Sequence, residues 1–126
     1  MGVAILTTED NFVDAGESSR YTVTFQDFDG SDIAKAALQS LLLDIVSDDG
    51  TAIVSNRDVL DDNGGTVASD GTLTLLVGPT DNAFQGGDHK TRENHTFELT
   101  WTWTDGSNTP TGKHKWEVTV RRPPQE

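Results

Sequence analysis

The chain has no cysteine. Disulfide bridges, thiolate metal ligands and thiol nucleophiles are excluded. Such a composition suits folding in a reducing cytosol. Long apolar runs are missing as well. None approaches the roughly 20 residues of a membrane-spanning helix. The opening "MGVAILTTEDNF" has no basic lead before an extended apolar stretch, so no secretory leader is expected. Met1-Gly2 meets the myristoylation pattern only in part. Positive charge is scarce: 9 Lys+Arg stand against 21 Asp+Glu, a formal net charge of -12. Residues 1–89 carry Arg20, Lys35 and Arg57 against 16 acids, whereas residues 90–126 carry 6 bases against 5 acids. An acidic body repels phosphates, which argues against direct nucleic-acid binding. It also gives a well-solvated surface, or a field that steers the chain toward a basic partner.

What is present is a succession of short β-rich runs separated by turn residues. At 126 residues the chain suits one domain. "RYTVTFQ" (20–26) alternates, with Tyr21, Val23 and Phe25 on one side and Thr22 and Thr24 on the other. "LLLDIVS" (41–47) sets Leu41, Leu43 and Ile45 against Leu42, Asp44 and Val46. Asp49-Gly50 then marks a hairpin turn into "TAIVSNRDV" (51–59). "GTVAS" and "GTLTLLVG" flank another turn, "SDGT". The clearest hairpin is "HTFELTWTWTDGSNTPTGKHKWEVTV" (95–120). There Phe97, Leu99, Trp101, Trp103, Trp116, Val118 and Val120 fall on one wall. That much apolar surface belongs in a core. Trp103, beside the turn, is the indole expected to sit half out and to serve as a contact. "SDIAKAALQSL" (31–41) has helix formers and a Ser31 or Asp32 cap, and predicts a short helix or helical turn. The whole predicts an all-β sandwich or barrel of about seven antiparallel strands with one short helical connection near residues 31–41. The amino-terminal arm is expected over 1–15, with a possible edge strand, the sandwich over 16–122 and a short tail over 123–126.

Chemistry is thinly signalled. "DFDGSD" (27–32) offers Asp27, Asp29 and Asp32 as oxygen ligands for a hard cation, but the glycine and the twelfth position miss the EF-hand spacing. "DVLDDNGG" (58–65) reads as an acidic glycine turn. His89, His95 and His114 lack ligand-pair spacing and fall at expected strand ends or loops, which predicts solvated rings. There is no G-x-S-x-G elbow and no Walker lysine. No catalytic residue, cofactor or metal is expected. Lys113 and Lys115 of "KHK", with Arg121 and Arg122, form the one basic concentration and read as a partner-docking patch.

The order of these pieces resembles small Ig-like structural proteins of tailed bacteriophages. The resemblance rests on the Asp48-Asp49-Gly50 turn, the Asn56-Arg57-Asp58-Val59 element, "GTLTLLVG", the Asp81-Asn82-Ala83-Phe84 segment, and the last two strands. It covers most of residues 20–120. It implies an Ig-like sandwich and a non-enzymatic virion component of the decoration, cement or head–tail accessory kind. Its partners would be the major capsid protein or other virion proteins, with a possible homo-oligomer on the particle and no membrane. It would be made in the bacterial cytoplasm. The alanine-rich insert and the heavier acidity depart from that pattern. A calcium- or carbohydrate-binding adhesion module is the alternative, motivated by the acidic loops and Trp103.

Overall fold

The computed structural model describes residues 3–8, 12–27, 30–83 and 92–121. Nine strands occur among them. They are β1 Val3–Thr8, β2 Phe12–Asp14, β3 Ser19–Gln26, β4 Leu38–Ser47, β5 Ala52–Asp58, β6 Gly65–Val67, β7 Leu73–Val77, β8 Arg92–Trp103 and β9 Thr111–Arg121. One sheet has the order β1-β3-β7-β6 and the other β2-β9-β8-β4-β5. Two sheets of alternating strands, each apolar on one face only, bury those faces against each other. The strand order is that of an Ig-like sandwich. Its first strand is divided between the sheets, and β5 is added at the edge of the larger one. Two details differ from expectation. There are nine strands rather than about seven, and the β2–β9 pair is parallel.

The core follows the alternation. Tyr21, Val23 and Phe25 of β3 are buried, as are Leu41, Leu43 and Ile45 of β4. Leu73, Leu75 and Val77 supply the inner face of β7. From β8 come Phe97, Leu99, Trp101 and Trp103, and from β9 Val118 and Val120, with Trp116 half-buried against them. Aromatic contacts bridge the sheets. Phe25 meets Trp101 at 4.9 Å between ring centroids. Tyr21 meets Phe97 at 5.4 Å and Trp116 at 5.7 Å. Tilted pairs at such distances add about 0.5–1.5 kcal/mol each beyond their burial.

Gly112 explains how so large a residue as Trp101 fits. The two are direct cross-strand partners. A Cβ on Gly112 would lie 2.5 Å from the Trp101 ring, so the indole occupies the space a side chain would take. β9 therefore starts within the stretch that sequence alone assigns to a loop.

The short helix or helical turn expected near 31–41 is a single 3₁₀ turn, Lys35–Ala37. Leu38 is already strand, paired with Trp103, and is buried. An isolated helix this short is marginal in water, and pairing with β8 satisfies more backbone groups while burying leucine. The turn is held by its neighbours: the Lys35 N–H donates to the Ser69 carbonyl, and the Thr104 N–H to the Ala37 carbonyl.

Gly112→Ala is expected to cost about 1–3 kcal/mol by overpacking. Urea denaturation would measure the loss, and near-ultraviolet circular dichroism would register the displaced Trp101. An unchanged midpoint would show that the indole does not depend on the missing Cβ.

Candidate functional site

β9 presents the expected docking residues, but not as one patch. Its odd-numbered residues point outward, and Lys113, Lys115, Glu117 and Arg121 are exposed. Lys115 is 68 % exposed and lies 3.5 Å from Glu98 across the strand pair. Lys113 stands opposite Thr100 and has no carboxylate in ion-pair contact among the described residues. Arg121 is six residues beyond Lys115, about 20 Å along an extended strand. There it pairs with Asp14 of β2 at 3.2 Å. Lys113 and Lys115 are thus one site and Arg121 belongs to another end of the molecule. Arg122 lies outside the described residues.

Trp103 is corrected outright. It is 2 % exposed, turned inward by the parity of β8. Leu38 pairs with it, and its backbone N–H donates to the Pro110 carbonyl, so the turn folds back over the strand end. It offers no face for a sugar or a partner.

The acidic turns use their carboxylates locally. The Asp27 carboxylate accepts the Ser31 N–H at 3.3 Å, while Asp32 is placed by a backbone β-bridge to Gln26. Asp29 lies outside the described residues. In the second turn, Asp58 accepts from the Leu60 N–H and Asp62 from that of Asn63. Asp61 accepts the Val67 N–H at 2.8 Å and pairs with the Lys35 ammonium. Lys35 and the Val67 N–H hold Asp61 below the usual carboxylate range, and the Thr72 N–H and hydroxyl do the same for Asp70. No group of three or more His, Asp or Glu residues is placed to hold a metal among the described residues.

Two links missed at the sequence level close the rims. β5 carries a bulge: Leu43 pairs with Arg57 and Ile45 with Val54, leaving Ser55 and Asn56 opposite Asp44. Asn56 takes a left-handed backbone, φ 50°, and its N–H donates to the Asp44 carboxylate at 2.9 Å. The bulge turns Arg57 toward the other sheet, where it grips Asp81 with two bonds, 2.6 and 3.1 Å. Beside it, the fully buried Asn82 donates to the Glu17 carbonyl at 2.7 Å and the Ser19 hydroxyl at 3.1 Å. The Asn-Arg and Asp-Asn pairs were visible in sequence; their meeting was not.

The histidines also differ from expectation. His89 lies outside the described residues. His114 is on β9, half-buried, with its ring 6.0 Å from that of Trp116. His95 is fully buried in β8, and its Nε2 lies 2.5 Å from Oε2 of the buried Glu93. The available signal was parity: counting back from Phe97 in steps of two reaches His95 and then Glu93. Burial also pushes the Tyr21 phenol up, with a Ser19 hydrogen bond opposing part of the shift.

No family model matches this chain, and no curated protein matches it. Among solved structures it is similar to the crystal structure of MtrC from Shewanella baltica OS185, at 14 % identity and a TM-score of 0.49. The likeness covers 96 % of this chain and 23 % of that one, so this chain spans about a quarter of its length.

Arg57→Ala should cost about 1–3 kcal/mol, the worth of charge-assisted hydrogen bonds. Asp81→Asn should cost less when added to it than alone, as a double-mutant cycle by urea denaturation would report. Asp61 and Asp70 have lowered folded-state values, so their contribution is complete above about pH 4. It is lost as the pH falls through those lowered values. In Asp61→Asn, stability measured from pH 7 to pH 2 should fall less steeply over that acid interval.

Proposed function

We propose that this chain is a non-enzymatic structural protein of a tailed-bacteriophage virion, docking on the capsid surface or the head–tail region. The resemblance in the order of strands and turns supports this reading. The observation that carries it is the outward pair Lys113 and Lys115 on β9, set in a chain of net charge -12. A strand is a rigid mount. Two lysines two residues apart on it present their charge from the same face. The partner surface is one that offers carboxylates. Screening over about 8 Å at physiological salt lets such a local contact form despite acidic groups farther away. A single contact of this kind is weak. Repeated on a lattice, or linked between copies, it gains by avidity. The adhesion-module alternative draws no support from the geometry: Trp103 is buried, and the carboxylates of 58–62 are engaged with turn amides and Lys35.

Electron microscopy and mass spectrometry of purified particles test the reading. Ordered copies of the chain on the particle are expected, and particles devoid of it would end the proposal. Reversing both charges, Lys113→Glu with Lys115→Glu, should weaken attachment on the order of tenfold, about 1.4 kcal/mol. Unaltered occupancy would remove these two residues from the docking surface.

A further inference from the structure

β9 is an edge strand for most of its length. β2 covers it only at Thr119, Val120 and Arg121, the partners of Phe12, Val13 and Asp14. Before Thr119 no strand flanks it on that side among the described residues. Two bonds show where its backbone groups point. The Arg121 carbonyl accepts from the Ala15 N–H, so odd-numbered residues aim their N–H and C=O at the β2 side. The Pro110 carbonyl accepts from the Trp103 N–H, so even-numbered residues serve β8. The β8–β9 register runs from Thr111 to Arg121 without a shift, and the alternation holds throughout. Lys113, Lys115 and Glu117 therefore present backbone donors and acceptors with no ladder partner among the described residues. Their side chains are exposed on the outer face, and on the inner face His114 and Trp116 are only half-buried. Elsewhere β5 is interrupted by its bulge, and β6 has 3 residues.

We propose that this open edge pairs with the same edge of a second copy, antiparallel about a two-fold axis at Lys115. A two-fold contact needs a self-complementary surface, and charge supplies it. In this register Lys113 of each copy lies opposite Glu117 of the other, and His114 lies opposite Trp116. Lys113, Lys115 and Glu117 exchange N–H···O=C bonds with Glu117, Lys115 and Lys113 of the second copy. Lysines on an open edge ordinarily hold a like edge away, and Glu117 reverses this in one register. Lys115 meets its own counterpart, but Glu98 lies 3.5 Å from it in each copy and offsets the like charge. A slide of one strand by two residues toward the turn would set Lys113 against Lys115 on both sides of the axis. A slide the other way would drive the second copy onto Phe12, which already occupies the edge at Thr119. So short a ladder makes a weak dimer, formed at high local concentration. The pairing does not depend on the docking function proposed above, although it would supply linked copies.

The test is sedimentation equilibrium of the full chain over a concentration series at about 0.15 M salt, where charges more than about 8 Å apart are largely screened. A monomer–dimer equilibrium is expected. Lys113→Glu alone and Glu117→Lys alone should each weaken it on the order of tenfold, since each change acts twice across the axis. The two changes together exchange the signs and should return it close to its natural strength. Lys115→Pro should abolish the dimer and leave the fold intact, because that N–H bonds to nothing within the sandwich and proline is accepted on an edge. Its urea midpoint checks the fold; should it fail, the charge exchange decides alone. A chain that stays monomeric throughout, a dimer untouched by Lys115→Pro, or a charge exchange that restores nothing would overturn the pairing. No particle enters these measurements, so failure of the docking reading leaves their outcome unchanged.

Discussion

The contact on which the structure depends is the meeting of aromatic rings between the two sheets. A chain without cysteine has no covalent pin between sheets, so position and spacing must come from shape. Tyr21 and Phe25 rise from one sheet; Phe97, Trp101 and Trp116 descend from the other. Their size sets the distance between layers, and their placement on alternate residues sets the register, because a one-residue slip would turn every ring to solvent. Gly112 completes the arrangement by leaving the space that Trp101 fills. The same parity that sends Trp116 inward sends Lys113 and Lys115 outward. The surface chemistry of β9 is thus a consequence of the packing behind it.

The rims are secured by polar rather than apolar contacts. The β5 bulge aims Arg57 at Asp81, and Asn82 ties the same segment to the turn before β3. Much of the chain's acidity serves turns in the same manner. Carboxylates of Asp58, Asp61, Asp62 and Asp70 each take a nearby backbone N–H that would otherwise lack a partner. Residues that look like cation ligands in the sequence are therefore spent on loop geometry. An acidic surface and well-defined turns are two products of one composition.

Glu93 and His95 break the rule that the inner face is apolar. Their burial costs desolvation, which the bond between them offsets only in part, since Nδ1 stays unpaired among the described residues. The pair sits at the start of the strand that supplies Phe97, Trp101 and Trp103 to the core.

By itself the sequence determined the strands and their inward faces. Period-two alternation is a property of the extended backbone, and no partner is needed to see that Tyr21, Val23 and Phe25, or Phe97, Leu99 and Trp101, share a side. It also determined the turn at Asp49-Gly50, where positive φ favours glycine. Tertiary structure alone decided the rest. Pairing with β8 drew residues 38–41, the end of the helix-forming stretch, into strand, because β-ladder bonds and burial outweigh small helix propensities. Folding divided the basic residues between two ends of β9, joined Arg57 to Asp81 across 24 positions, and placed His95 inside. Each of those outcomes depends on which strands become neighbours, and neighbourhood is a property of the assembled sandwich rather than of any local run of residues.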